Sequence, residues 1–182
     1  MCELQLLSVV QHVWKLRFDL NSPCRPQQFE VDQRALTQQY REFQKVLHPD
    51  MNALVTEEKR LELEQQSTAV SNAYQTIKDP YQRAIYLLKL NGIAVDFDKD
   101  NNAELHKKIP NFQMILFEVM EMREELEDNP SSKPKIKTDL KEKLAGIVAN
   151  IKNAFDSNKY ELALQHTITY NYYNKLYFEL ND

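Results

Sequence analysis

From Gln33 to Leu47 the chain sets Leu36, Tyr40, Phe43 and Leu47 at spacings of 4, 3 and 4, and Pro49 then ends the pattern. Such spacing gathers the four side chains on one face of an α-helix. Asp32 stands where an N-cap is needed, and the proline forbids continuation beyond Leu47. At about 100° per residue, Arg34, Arg41 and Lys45 fall nearly on one line, about 150° from the centre of the apolar stripe. A core-facing stripe thus backs onto a basic ridge that ends at His48-Pro49-Asp50. A second helix is predicted over Glu57–Lys78, with Leu63, Val70, Ala73 and Ile77 inward and Asp79-Pro80 as its stop. The two helices are expected to run antiparallel, joined by the loop that carries the tripeptide. The following "YQRAIYLLKLN" is apolar on most sides, so it reads as a deeply packed helix capped at Gly92.

Composition supports an all-α reading. Only two glycines occur in 182 residues, amid abundant Leu, Glu, Lys and Gln. An all-β domain of this size needs more glycine at its turns. The length allows one or two small domains. A formal net charge of −4 gives no long-range pull toward nucleic acid or an anionic membrane. No apolar run approaches the roughly 18–20 residues of a membrane span. Cys2 and Cys24 form no C-x-x-C pair, too little for a disulfide framework or a zinc site, and they point to a reducing compartment. The opening "MCELQLLSVVQHVWKLRF" reads as neither a secretory signal nor a mitochondrial presequence.

Breaks fall at residues 23–26, 49–52, 91–110 and 129–134. The widest, "NGIAVDFDKDNNAELHKKIP", divides the chain into residues 1–95, a linker at 96–110 and residues 111–182. Formal charges cancel within 1–95, so the whole net negative charge lies in 96–182. Helices are predicted at about 111–127, 136–157 and 159–180. Ile136, Leu140, Leu144, Ile147, Ile151 and Ala154 line the middle one, and Ala163, His166, Tyr170, Tyr173, Tyr177 and Leu180 the last, a pattern suited to a left-handed bundle. On the first, Phe112, Ile115, Val119, Met122 and Leu126 form one inward stripe. Phe117 and Met120 lie about 80–140° round from Phe112, with Leu116 at the near edge and Glu121 and Glu124 beside them. Tyr172 likewise points away from its helix's stripe. A second apolar face needs an occupant, either the other lobe or a partner.

Three readings of His48-Pro49-Asp50 compete. It is a helix stop with a turn-forming aspartate, an acid/base pair, or a surface read by another protein. No nucleophile or oxyanion site accompanies it, and His12, His106 and His166 lack metal-ligand spacing, so neither an enzyme nor a metal site is expected. The basic helical face, the tripeptide, a charged loop and an antiparallel helix together resemble the J-domain of DnaJ co-chaperones. More narrowly, "FEVDQRALTQQYREFQKVLHPD", "SNAYQTIKDPYQRAIYLLKLNGI" and "LFEVMEMREELED" follow one another in the order of the HscB/Jac-type iron–sulfur co-chaperones. The resemblance runs from Phe29 to Leu180.

The resemblance implies an L-shaped, two-lobed all-α protein: a J-domain hairpin and a carboxyl-terminal three-helix bundle. It implies a co-chaperone that stimulates the ATPase of a DnaK/HscA-class chaperone and binds an IscU-type scaffold to promote iron–sulfur cluster transfer. His48, Pro49, Asp50, Arg34, Arg41 and Lys45 would meet the chaperone. Leu116, Phe117, Met120, Glu121, Arg123, Glu124 and Tyr172 would meet the scaffold. No catalytic residue, cofactor, metal, nucleic acid or membrane is expected, and the compartment is the mitochondrial matrix or, in a bacterium, the cytoplasm. The rival readings are a general J-protein delivering unfolded clients and, further off, a metal-dependent hydrolase built on His48 and Asp50.

Overall fold

The computed structural model describes residues 28–47, 56–93, 107 and 109–181. Regular structure among them is helical throughout: α1 Gln33–Leu47, α2 Glu57–Lys78, α3 Pro80–Leu90, α4 Phe112–Asp128, a 3-10 turn Pro130–Ser132, α5 Lys133–Asp156 and α6 Tyr160–Glu179. The chain divides between Arg83 and Ala84 into two compact units, each taken by itself below. No helix of the described residues is long and apolar enough to cross a membrane.

In the first unit, aspartates set where helices begin. Asp32 Oδ1 accepts the backbone N–H of Arg34 at 2.8 Å and of Ala35 at 3.1 Å, capping α1. Asp79 does the same for α3 through Tyr81 (2.7 Å) and Gln82 (3.0 Å). Asp79-Pro80 therefore both stops α2 and starts α3, where proline's missing donor costs nothing at the first helical position. On the second unit's side of that division, Gly92, at φ +79°, closes α3: its own N–H reaches Lys89 O, and the Ile93 N–H reaches Leu88 O. That pairing needs a left-handed residue, which glycine supplies without a Cβ clash.

Pairings between α1 and α2 run in opposite order along the two helices, which makes them antiparallel. Gln33 Nε2 donates to Lys78 O, the Thr37 and Tyr74 hydroxyls lie 3.3 Å apart, and Tyr40 stacks on Tyr74 at 4.1 Å. Further along, Gln44 Nε2 donates to Ser71 Oγ at 3.0 Å, and Ser67 Oγ donates to Gln44 Oε1 at 3.2 Å. Leu36 is buried on α1, whereas Tyr40, Phe43 and Leu47 are half-buried, and the Tyr40 hydroxyl lies 3.4 Å from Ser71 Oγ of α2. Phe29 is sealed at the base of this unit. The buried Arg83 guanidinium lies over its ring at 4.6 Å and donates to Ile77 O at 2.6 Å, a cation answering the carbonyl end of α2.

In the second unit, α5 and α6 form the most extensive helix contact. All six residues of the predicted α5 stripe are buried, with Phe155 beside them. The helix starts at Lys133, ahead of the predicted residue 136, because the turn at Pro130–Ser132 leads into it and Pro134 is tolerated in its first turn. On α6 the prediction is partly corrected. Ala163, Tyr170, Tyr173 and Leu180 are buried, but His166 and Tyr177 are only half-buried, and Leu164, Thr167, Ile168 and Leu176 take the interior instead. Both α5 and α4 pack on α6, so its covered arc is wider than one stripe and is rotated from the one the tyrosines suggest. Thr167 can sit fully inside because its hydroxyl donates to Ala163 O at 2.7 Å.

Leu140 is wholly buried at the centre of the bundle. Leu140→Ala is expected to lower stability by about 3 kcal/mol in urea unfolding. Leu61→Ala, on a residue 56% exposed, should shift it by under about 0.5 kcal/mol.

Candidate functional site

Two exposed faces carry the residues singled out from the sequence, one in each unit. On α1, the seam with α2 holds Leu36 and Tyr40 inward and thereby turns Arg34, Arg41 and Lys45 outward. All three are exposed and line one shallow groove with Gln33, Thr37, Gln38 and Glu42. Glu42 accepts a hydrogen bond from Gln38 at 3.3 Å, so the face is basic but interrupted by one carboxylate. His48, Pro49 and Asp50, predicted to follow at the end of this ridge, lie outside the described residues.

On α4, the covered and open sides separate as the wheel predicts. Val119 is buried, and Phe112, Ile115, Met122 and Leu126 are half-buried on the same side. Phe117 is 62% exposed and Met120 58% exposed on the opposite side. Glu121 and Glu124 are exposed next to them, and Leu116 is half-buried at the edge. Arg123 stands exposed and forms an ion pair with Glu179 of α6 at 2.8 Å. Tyr172 is half-buried and meets the Phe112 ring edge-on at 5.2 Å, so part of the reason it leaves the α6 stripe is that α4 lies there.

What holds α4 in this rotation escaped the sequence reading. The Glu118 carboxylate accepts hydrogen bonds from Lys143 Nζ of α5 and, at 2.6 Å, from the Tyr173 hydroxyl of α6, while the ammonium lies 4.5 Å from the Tyr173 ring centre. Burial alone would push the Glu118 carboxyl up, but the two hydrogen bonds and the Lys143 charge together hold it below the usual carboxylate range. Burial, the bond to Glu118 and its charge push the Tyr173 phenol well above its ordinary value. The signal available in the sequence was the position of Glu118 beside Val119, on the flank of the inward stripe.

Met114 was also missed. It is 68% exposed and precedes Phe117 and Met120 at intervals of three, making a continuous outward ridge along α4. Next to it, on α6, Leu162 is 38% exposed. Among the described residues no group of three or more His, Cys, Asp or Glu is placed to hold a metal ion.

Comparison with known proteins finds two family models in succession: the DnaJ domain over residues 28–86, and the HSCB C-terminal oligomerisation domain over residues 112–181. A curated co-chaperone protein HscB homolog of Vibrio cholerae is 46% identical over 102 residues, which cover 56% of this chain and 55%, about half, of that protein's length. The homolog of Vibrio vulnificus is 35% identical over 144 residues, covering 79% of this chain and 72% of its own. The solved structure of chaperone HscB from Vibrio cholerae superposes with a TM-score of 0.71 at 31% identity, over 86% of this chain and 90% of that one.

Because the folded Glu118 carboxyl titrates below its unfolded value, its contribution to stability is complete above the ordinary carboxylate range. That contribution is lost as pH falls through the depressed folded value. Glu118→Gln is expected to cost about 1 kcal/mol at pH 7, a modest figure because the group is partly exposed and screened. The gap from the parent chain should narrow by pH 3 in urea unfolding monitored by circular dichroism.

Proposed function

The chain belongs to the HscB family of co-chaperones, and from that membership we propose that it couples an iron–sulfur scaffold to an Hsp70-type chaperone. It acts as a regulator of a partner's ATPase rather than as an enzyme. One observation carries the scaffold half: α4 satisfies its packing through one face and still presents Phe117 and Met120 to solvent, flanked by Glu121 and Glu124. Apolar anchors of this kind supply affinity, and the carboxylates around them supply orientation. Leu116 and Tyr172 extend the contact at its edges, and Arg123 frames it from its pair with Glu179.

The chaperone half is supported by the outward line of Arg34, Arg41 and Lys45 and by the DnaJ model over residues 28–86. In this reading the ridge meets an acidic patch on a DnaK/HscA-class ATPase, where exposed charges steer encounter and fix register. Asp50 supplies the carboxylate that biases the partner's conformational equilibrium, Pro49 stiffens the turn, and His48 orients it. The co-chaperone itself binds no cluster and no nucleotide. The bacterial relatives fit a cytoplasmic setting. The mitochondrial matrix is the corresponding setting in a eukaryote.

Two variants test the two halves separately. Asp50→Ala should return chaperone ATPase to its unstimulated rate while leaving the far-UV spectrum and scaffold affinity intact; full stimulation by the folded variant would refute the trigger. Changing Leu116, Phe117 and Met120 together to Ala should weaken scaffold binding by about 100-fold in a titration, near 3 kcal/mol, and leave stimulation in the scaffold's absence unaltered.

A further inference from the structure

The amino-terminal half of α4 does not lie flush on α6. An open groove of about 930 Å³ separates Gln113, Met114 and Phe117 from Leu162, Gln165 and His166, within the second unit alone. Its walls are apolar and bare: Met114 is 68% exposed, Phe117 62% and Leu162 38%. Three large apolar side chains turned to one channel exceed the scattered exposure of an ordinary helix surface. Burial holds the His166 imidazole below its usual titration range, so near neutral pH it contributes a neutral hydrogen-bonding wall rather than a charge.

The charges in this groove have one sign. Glu118 and Glu121 both line it, and Glu118 is already compensated by Lys143. Glu121 is exposed at the rim, and no lysine or arginine is among the lining residues. An apolar channel with an acidic rim selects an apolar side chain followed by a cation and disfavours an acidic peptide. Phe117 and Glu121 belong at once to this groove and to the outward face of α4, so one ligand can lie across both without a break.

We propose that this groove is a second docking element for the scaffold, receiving an apolar segment that carries a lysine or arginine, with Met114 and Leu162 as its walls and Glu121 as its ionic anchor. The inference rests on the scaffold reading above and extends that contact from one helix face to the cleft between α4 and α6. It assigns Met114 and Leu162 a role in choosing the partner, because a channel admits only a segment of matching width whereas a ridge accepts many shapes.

Titration of the full chain with a purified, cluster-free scaffold protein tests this. Met114→Ala combined with Leu162→Ala should weaken binding about tenfold. Met114→Lys, at a position too exposed to disturb the fold, should weaken it comparably, and more strongly at low salt because it sets a like charge against the docking cation. Unchanged affinity in both variants, while the Leu116/Phe117/Met120 variant loses binding, would overturn the groove and leave the ridge standing. Unchanged affinity in all three would overturn the scaffold reading itself. If the groove variants instead abolish self-association in sedimentation without altering scaffold affinity, the occupant is a second copy of this chain and the proposal fails.

Discussion

Everything the second unit offers to a partner depends on how α4 is rotated, and the Glu118–Lys143–Tyr173 contact sets that rotation. Apolar packing alone is a weak guide here, since only Val119 of α4 is buried outright and the rest of its stripe is half-covered. A carboxylate bonded to an ammonium on α5 and a phenol on α6 adds direction, because hydrogen bonds fail when the helix turns while apolar contacts merely slide. With Glu118 held inward, its neighbour Phe117 is carried about 100° round and emerges on the open side. Met114 and Met120, three residues to either side, emerge about 60° from it on the same open side. The exposed apolar ridge is thus the geometric complement of a polar tie.

The first unit uses a related device with different chemistry. Between α1 and α2 the tyrosine stack, the paired hydroxyls and the Gln44 amide form a ladder of specific contacts where a plain leucine seam would tolerate slippage. That ladder fixes which side of α1 faces water, and so aims Arg34, Arg41 and Lys45 along one line. Asp32 and Asp79 set the helix starts that give the ladder its register. A basic ridge and an apolar ridge on one polypeptide have a simple energetic consequence. Under the proposed function, holding both scaffold and chaperone would convert their meeting into an intramolecular event with raised effective concentration.

Much of this was legible in the order of residues. Both limits of α1 and the end of α2 followed from Asp32, Pro49 and Asp79-Pro80, since caps and prolines act within a few residues of themselves. The inward stripe of α5 was read apart from Phe155, because that helix packs along one face and its apolar period has a single meaning. For α6 the same method erred at His166 and Tyr177: when two neighbours cover one helix, the buried arc widens, and periodicity no longer marks its centre. Tyr172 looked like an orphaned aromatic for the same reason, although Phe112 of α4 lies against it.

By itself, then, the sequence determined the helical class, both limits of α1 and the end of α2, the outward basic line of α1 and the apolar excess on α4, all of which arise from forces acting within one turn or along one helix. Only the tertiary structure decided which excess apolar residues stay in water, that Met114 joins Phe117 and Met120, and that a channel opens beside Leu162 and His166. Those outcomes depend on contacts such as Glu118 with Lys143 and Tyr173, between residues 25 and 55 positions apart. No local spacing rule encodes a partner at that distance.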